Sequence, residues 1–232
     1  MPTRWSIVSR ARGDQPKARD AALNDLCLAY WYPVYGFVRR KGLDPETAKD
    51  VTQEFLAGWV AGPALERADQ QRGKFRTFLL AALSDFLVDR HRKEHAQKRG
   101  GGVSDIHLDA LEMEARHRLE PLVEESPEKA YDRTWAAALM DRAKARLRED
   151  SAGSAHSDLH DALETHLLAD VADGVADELG QRFGLTRAAV SAALYRRRKK
   201  LRVAVMAEIH ETVETPEEAA EELQHLFAAL TE

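Results

Sequence analysis

Six cations crowd into seven positions near residue 200: Arg196, Arg197, Arg198, Lys199, Lys200 and Arg202. Guanidinium and ammonium groups at that density suit contact with several phosphate oxygens, because each neutralised phosphate releases condensed counterions. The dipole at a helix C-terminus draws one or two cations, and six exceed that need. Other reactive constellations are weaker. His91 with His95, and His156 with His160, have the four-residue spacing of helical metal ligands, but no further ligand accompanies either pair. The first pair also lies in the largely cationic run 90–95 (RHRKEH), whose field disfavours a metal ion. Gly-rich phosphate loops, nucleophile elbows and HExxH stretches do not occur. The expectation is a protein that is not an enzyme, with no metal and no cofactor. The single cysteine, Cys27, stands between Leu26 and Leu28, has no partner for an internal disulfide, and is expected in a core.

The elements that position these cations are helical. Apolar residues recur every three to four positions almost throughout, with no convincing alternating run, so the fold class is all-α. In 175–201 (VADELGQRFGLTRAAVSAALYRRRKKL), Leu179 and Phe183 mark the inner face of one helix, and Gly184 suits a left-handed turn. Thr186 is placed to cap a second helix, whose buried side is Val190, Leu194 and Leu201. This is a helix-turn-helix pattern. Ala188, Ala189, Ala192 and Ala193 permit close approach to a DNA groove, with Arg187, Ser191, Tyr195 and Arg196 pointing outward and Arg197 and Lys199 following as phosphate contacts.

Further helices are expected over 18–40, 45–59, 74–98, 130–149, 158–168, 175–183 and 186–205, with a tail helix starting at Pro216. Asp44 before Pro45 is a helix start. Arg99 and Gly100 to Gly102 end the third helix, and the acidic stretch after it reads as a linker. The expected organisation is a first helical domain over 1–102, a linker over 103–127, a helix-turn-helix domain over 128–204 and an acidic extension over 205–232.

The formal net charge of −5 is unevenly spread over the 232 residues. Residues 207–232 hold eight acids and no Lys or Arg, and the rest of the chain carries a net +3. Hydrophobic residues make up 44% and no apolar run approaches the roughly 20 residues of a membrane span, so no membrane insertion is expected. Residues 1–12 lack the continuous apolar centre of a signal peptide, which suggests a cytoplasmic location.

Taken together, three segments resemble the sigma-70 family of RNA polymerase sigma factors, specifically its extracytoplasmic-function group. Residues 44–56 (DPETAKDVTQEFL) look like the helix that grips the polymerase clamp, residues 72–95 (RGKFRTFLLAALSDFLVDRHRKEH) look like the helices that open the promoter and read its minus-ten element, and 175–201 corresponds to the reader of the minus-thirty-five element. The resemblance implies core RNA polymerase and promoter DNA as partners. It assigns polymerase contact to Asp50, Gln53 and Glu54, and DNA contact in the first domain to Arg76, Arg90, Arg92, Lys93, Lys98 and Arg99. It also implies a pocket for a flipped promoter base in the loop between Ala61 and Arg72.

Two departures from that pattern matter. Relatives commonly carry an acidic run where this chain reads 47–50 (TAKD), and an aliphatic residue at Thr52, which suggests that a Ser/Thr kinase phosphorylates Thr52 or Thr47 to restore the missing charge. The acidic extension carries Ala219, Leu223, Leu226, Phe227 and Leu230 as an apolar face, expected to pack on either domain and screen the basic helix end, or to dock another protein; separately, the resemblance makes an anti-sigma factor a candidate partner of the chain. The rival reading is a helix-turn-helix regulator that acts without polymerase.

Overall fold

Prolines and short polar side chains mark where the helices begin. The computed structural model describes residues 15–62, 74–96, 125–151, 157–168, 174–213 and 215–231, with side chains only to 93 in the second stretch. The helices are α1 (Pro16–Arg40), α2 (Pro45–Ala61), α3 (Phe75–Ala96), α4 (Pro127–Glu149), α5 (Ser157–Glu164), α6 (Val175–Phe183), α7 (Arg187–His210) and α8 (Pro216–Thr231). There is no strand among the described residues, and the fold is all-α. No helix among them is long and apolar enough to cross a membrane. The expected linker over 103–127, the loop between Ala61 and Arg72, Lys98, Arg99 and His156 lie outside the described residues, apart from the linker's last three positions.

The α1–α2 turn follows local rules. Arg39 and Arg40 occupy the last turn of α1, where their charge complements the helix dipole, and Gly42 has φ 93°, which favours glycine. Asp44 then caps α2, its carboxylate accepting from the backbone N–H groups of Glu46 and Thr47 at 3.1 Å each. Its carboxyl is held below the usual range, chiefly by the Thr47 hydroxyl, which donates to it at 2.6 Å.

Two compact units result, one comprising residues 1–138 and 209–232, the other 139–208. These are not the boundaries the sequence suggests, because the first half of α4 and the whole of α8 belong to unit 1. The reason is aromatic surface. Tyr131 and Trp135 are fully buried, and Tyr131 meets Phe37 of α1 edge-on at 6.3 Å between ring centroids. Gly36 allows this approach, since a Cβ there would lie 3.2 Å from the Thr134 methyl.

In unit 1, α1 is buried all round its middle (Ala29, Tyr30, Trp31, Tyr32, Val34, Tyr35, Phe37 and Val38). Phe75 of α3 packs edge-on against Tyr30 at 5.1 Å and Trp59 of α2 at 5.6 Å. On α3, Phe75, Leu79 and Leu83 are buried, while Phe78, Phe86 and Leu87 are half-buried. Cys27 is buried, and desolvation pushes its thiol up to about 11.

Unit 2 is built on Leu139, Ala143, Leu147, Leu159, Leu163, Leu179, Val190, Leu194, Leu201 and Val205. Within it α7 is tied to α4 by Glu208, whose buried carboxylate meets Arg142 Nε at 2.9 Å and Arg146 Nε at 2.8 Å. That clamp accompanies a helix five residues longer than its apolar pattern suggests, ending at His210 rather than Val205.

Candidate nucleic-acid interface

The turn between α6 and α7 is set by two glycines. Gly184 takes φ 67°, the left-handed conformation expected from sequence, and the Leu185 N–H donates back to the Gly180 carbonyl at 2.8 Å. A Cβ on Gly180 would lie 2.7 Å from the Leu185 carbonyl oxygen, so no larger residue fits without shifting backbone. Thr186 caps α7, its hydroxyl oxygen accepting from the Ala189 N–H at 3.2 Å.

On α7 this leaves Arg187, Ser191, Tyr195, Arg196, Lys199, Lys200 and Arg202 exposed, with Tyr195 70% accessible. Ala188 and Ala192 lie among them, so the surface is low near the helix start and cationic beyond it. Arg187 sits 3.4 Å from Asp177, at the solvated rim, where such a pair contributes little. Arg196, Lys199, Lys200 and Arg202 have no carboxylate partner among the described residues, the arrangement a phosphate backbone requires.

Arg197 is a correction. It is 4% exposed and donates to the Leu147 carbonyl at 3.1 Å and to the Ser151 hydroxyl, so it ties α7 to the C-terminal end of α4 and is not available to DNA. Desolvation lowers its proton affinity from the ordinary value, with Glu164 and Asp161 opposing. Arg198 is half-buried and donates to the His166 carbonyl at 3.0 Å. The α-helical period explains both, since positions 197, 198 and 201 return to the inner face that Val190 and Leu194 begin.

In unit 1 the cations of α3 are differently employed. Arg76 is also a correction: it is 7% exposed, with Nε 3.0 Å from Glu222 of α8 and its other end on Asp132 of α4. Desolvation works against its charge, but Glu222 and Asp132 outweigh it and hold the guanidinium above its ordinary value. Lys74 Nζ joins Glu222 at 3.2 Å and Glu221 at 3.3 Å. The Arg76 guanidinium lies 4.9 Å from the ring centroid of Trp135, whose indole meets the His225 ring at 6.1 Å. His225 Nε2 lies 3.1 Å from Asp132. Trp135 Nε1 is buried without a partner among the described residues, a defect worth about 1–3 kcal/mol.

Arg90 is ion-paired with Glu54 of α2, so an expected DNA contact and an expected polymerase contact neutralise each other across two helices. Arg92 is exposed and lies 3.6 Å from Asp89, and Lys93 is exposed. Asp50 is exposed and Gln53 half-buried on the outer side of α2, opposite Ala48, Val51, Phe55 and Trp59. Thr52 is fully buried, its hydroxyl donating to the Ala48 carbonyl at 2.7 Å, which corrects the expectation of a modifiable hydroxyl there. Thr47 is half-buried, with its hydroxyl committed to Asp44. His91 is exposed, and no group of three or more metal-ligand side chains occurs among the described residues.

Sequence reasoning missed Lys74, Asp132, Trp135, Glu222 and His225. One signal was present. Glu222 falls three residues after Ala219 and four before Leu226, so it lies on the inner stripe of α8, where a carboxylate requires a buried cation. The inner face is accordingly Ala219, Glu222 and Leu226, while Phe227 and Leu230, expected inside, are 54% and 39% exposed. Neither a family model, nor a curated protein, nor a solved structure matches this chain.

Proposed function

We propose that the chain is an alternative sigma factor of the extracytoplasmic-function type, which binds core RNA polymerase through α2 and directs it to promoter DNA read by α7. The observation that carries the reading is the exposed face of α7: Ser191, Tyr195, Arg196, Lys199 and Arg202 on the second helix of a helix-turn-helix. Asp50 and Gln53 on the outer side of α2 support the polymerase half of the reading. In this scheme the chain supplies no reacting group; it selects the start site and acts in the cytoplasm.

A second reading, a helix-turn-helix regulator that acts without polymerase, is favoured by the pairing of Glu54 with Arg90, which takes one carboxylate away from the α2 contact surface. The two separate cleanly. Purified chain is mixed with core polymerase, and the complex is tested for transcription from a promoter selected by its own DNA binding. Co-migration with core enzyme and start-site-specific transcripts are expected, both reduced by Asp50→Ala. Duplex binding with no polymerase complex sinks the first reading in favour of the second.

A further inference from the structure

We propose that the cavity among α5, α6 and α7 in unit 2 is a binding site for a small amphipathic carboxylate, and that its occupant competes with duplex DNA for α7.

Close-packed interiors leave few voids larger than a water molecule. Here about 300 Å³ lies open beside the helix-turn-helix, at the lower end of the sizes of small-ligand pockets. Its floor is apolar, since Leu163 of α5, Leu179 of α6, and Val190 and Leu194 of α7 line it and all four are buried. A hydrocarbon body displaces water from such a floor favourably. The charged lining has one sign: Arg187, Arg198 and His166 belong to it, and no carboxylate does among the described residues. Arg187 is exposed and 3.4 Å from Asp177, a solvated pair that engages its charge only weakly. Arg198 supplies the anchor. It is half-buried, and its guanidinium donates to the His166 carbonyl at 3.0 Å, which holds it beside the cavity rather than in solvent with Arg196 and Lys199. A guanidinium carries five donors in a planar fork, so one edge can serve that carbonyl while another meets a carboxylate. The occupant that fits is therefore an anion at one end and a short apolar body at the other.

The same cavity borders the recognition face. Ser191 and Tyr195 line it and also stand on the exposed side of α7. A bound carboxylate brings negative charge close to where phosphates arrive, so the two ligands oppose each other, and by linkage each weakens the other by the same factor. The competition rests on the proposed assignment of α7 to duplex DNA; the carboxylate site does not.

Octanoate is the probe, with octanol as the neutral analogue of the same chain length. Binding to the full chain is followed by methyl NMR, in which Leu163, Leu179, Val190 and Leu194 report on the cavity. Saturable shifts at those residues are expected with octanoate, and octanol should bind there about tenfold more weakly, the scale of one hydrogen bond to a charged group. Arg198→Gln should erase the preference for octanoate while octanol still binds, and Arg198→Lys should restore part of it. Ala176→Leu narrows the cavity without altering charge, should abolish binding of both, and serves if Arg198→Gln does not fold. Saturating octanoate should weaken binding of a duplex selected by the chain by about tenfold. The site is overturned by the absence of saturable shifts, by equal affinity for octanoate and octanol, or by binding that survives Ala176→Leu. Octanoate bound with duplex affinity unchanged overturns the competition. A chain that takes octanoate in the cavity but binds no duplex removes the assignment of α7, and the competition with it, and leaves the carboxylate site standing.

Discussion

On α7, Arg196, Lys199, Lys200 and Arg202 stand in solvent without carboxylate partners among the described residues, whereas on α3 Arg76 and Arg90 are held by Glu222, Asp132 and Glu54. The two helices look alike in sequence, each an amphipathic stretch rich in Arg and Lys. What differs is the position of the acids. Those of α8 and α2 fold back onto α3, and the tail over 207–232 supplies eight acids with no Lys or Arg of its own. Cation content therefore says little about cation availability, because a neighbouring carboxylate at about 3 Å satisfies the guanidinium before any phosphate arrives.

The comparison is broken most forcefully at Glu222. Glu222→Ala leaves Arg76 and Lys74 facing a vacancy, and losing one partner of a buried ion pair costs about 3–5 kcal/mol, up to the limit of what docking α8 contributes. Amide exchange should show α8 released while α1 to α3 stay protected; an α8 as protected as in wild type would mean that the ion pairs do not hold it. Next in size is Arg197→Ala, which abandons the Leu147 carbonyl and the Ser151 hydroxyl and should lower unit 2 stability by about 1–3 kcal/mol in urea titrations. Arg196→Ala, one residue away and exposed, should change stability by less than about 0.5 kcal/mol. It should instead reduce the salt slope of duplex binding by about 0.9. If the neighbours exchange these phenotypes, the face of α7 assigned to DNA is wrong.

The smallest effect concerns α2 and is read against pH. The folded Asp44 carboxyl lies below the ordinary 3.8, so its cap stabilises fully above that value and is lost as pH falls through the folded titration. The Tm of Asp44→Ala should therefore lie below that of wild type at neutral pH, with the two converging well below pH 3.8. A gap that persists in acid would assign the effect to something other than the ionised cap.

Much of the site was legible because helix rules are local. The start at Pro45 behind Asp44, the span of α6 and the left-handed Gly184 all follow from residues within a few positions of one another. The outward set Arg187, Ser191, Tyr195, Arg196 and Lys199 was likewise readable from a 3.6-residue period anchored by Val190 and Leu194. Arg197 was misassigned because a dense cationic run hides its own periodicity: all six charges look alike until Leu201 fixes which side is inner. Thr52 failed for a related reason, standing at the margin of an apolar stripe that proved wide enough to cover it.

The sequence by itself determined that this protein is helical, where most of its helices begin and end, and which face of α7 carries charge into solvent. Backbone hydrogen bonds, caps and amphipathic period act over at most a few residues, and so they can be read along the chain. Only the tertiary structure decided that α8 and the first half of α4 join unit 1, and that Glu222 reaches Arg76 across 146 positions of sequence. An ion pair between residues so far apart depends on which apolar faces meet, and no local rule encodes that meeting.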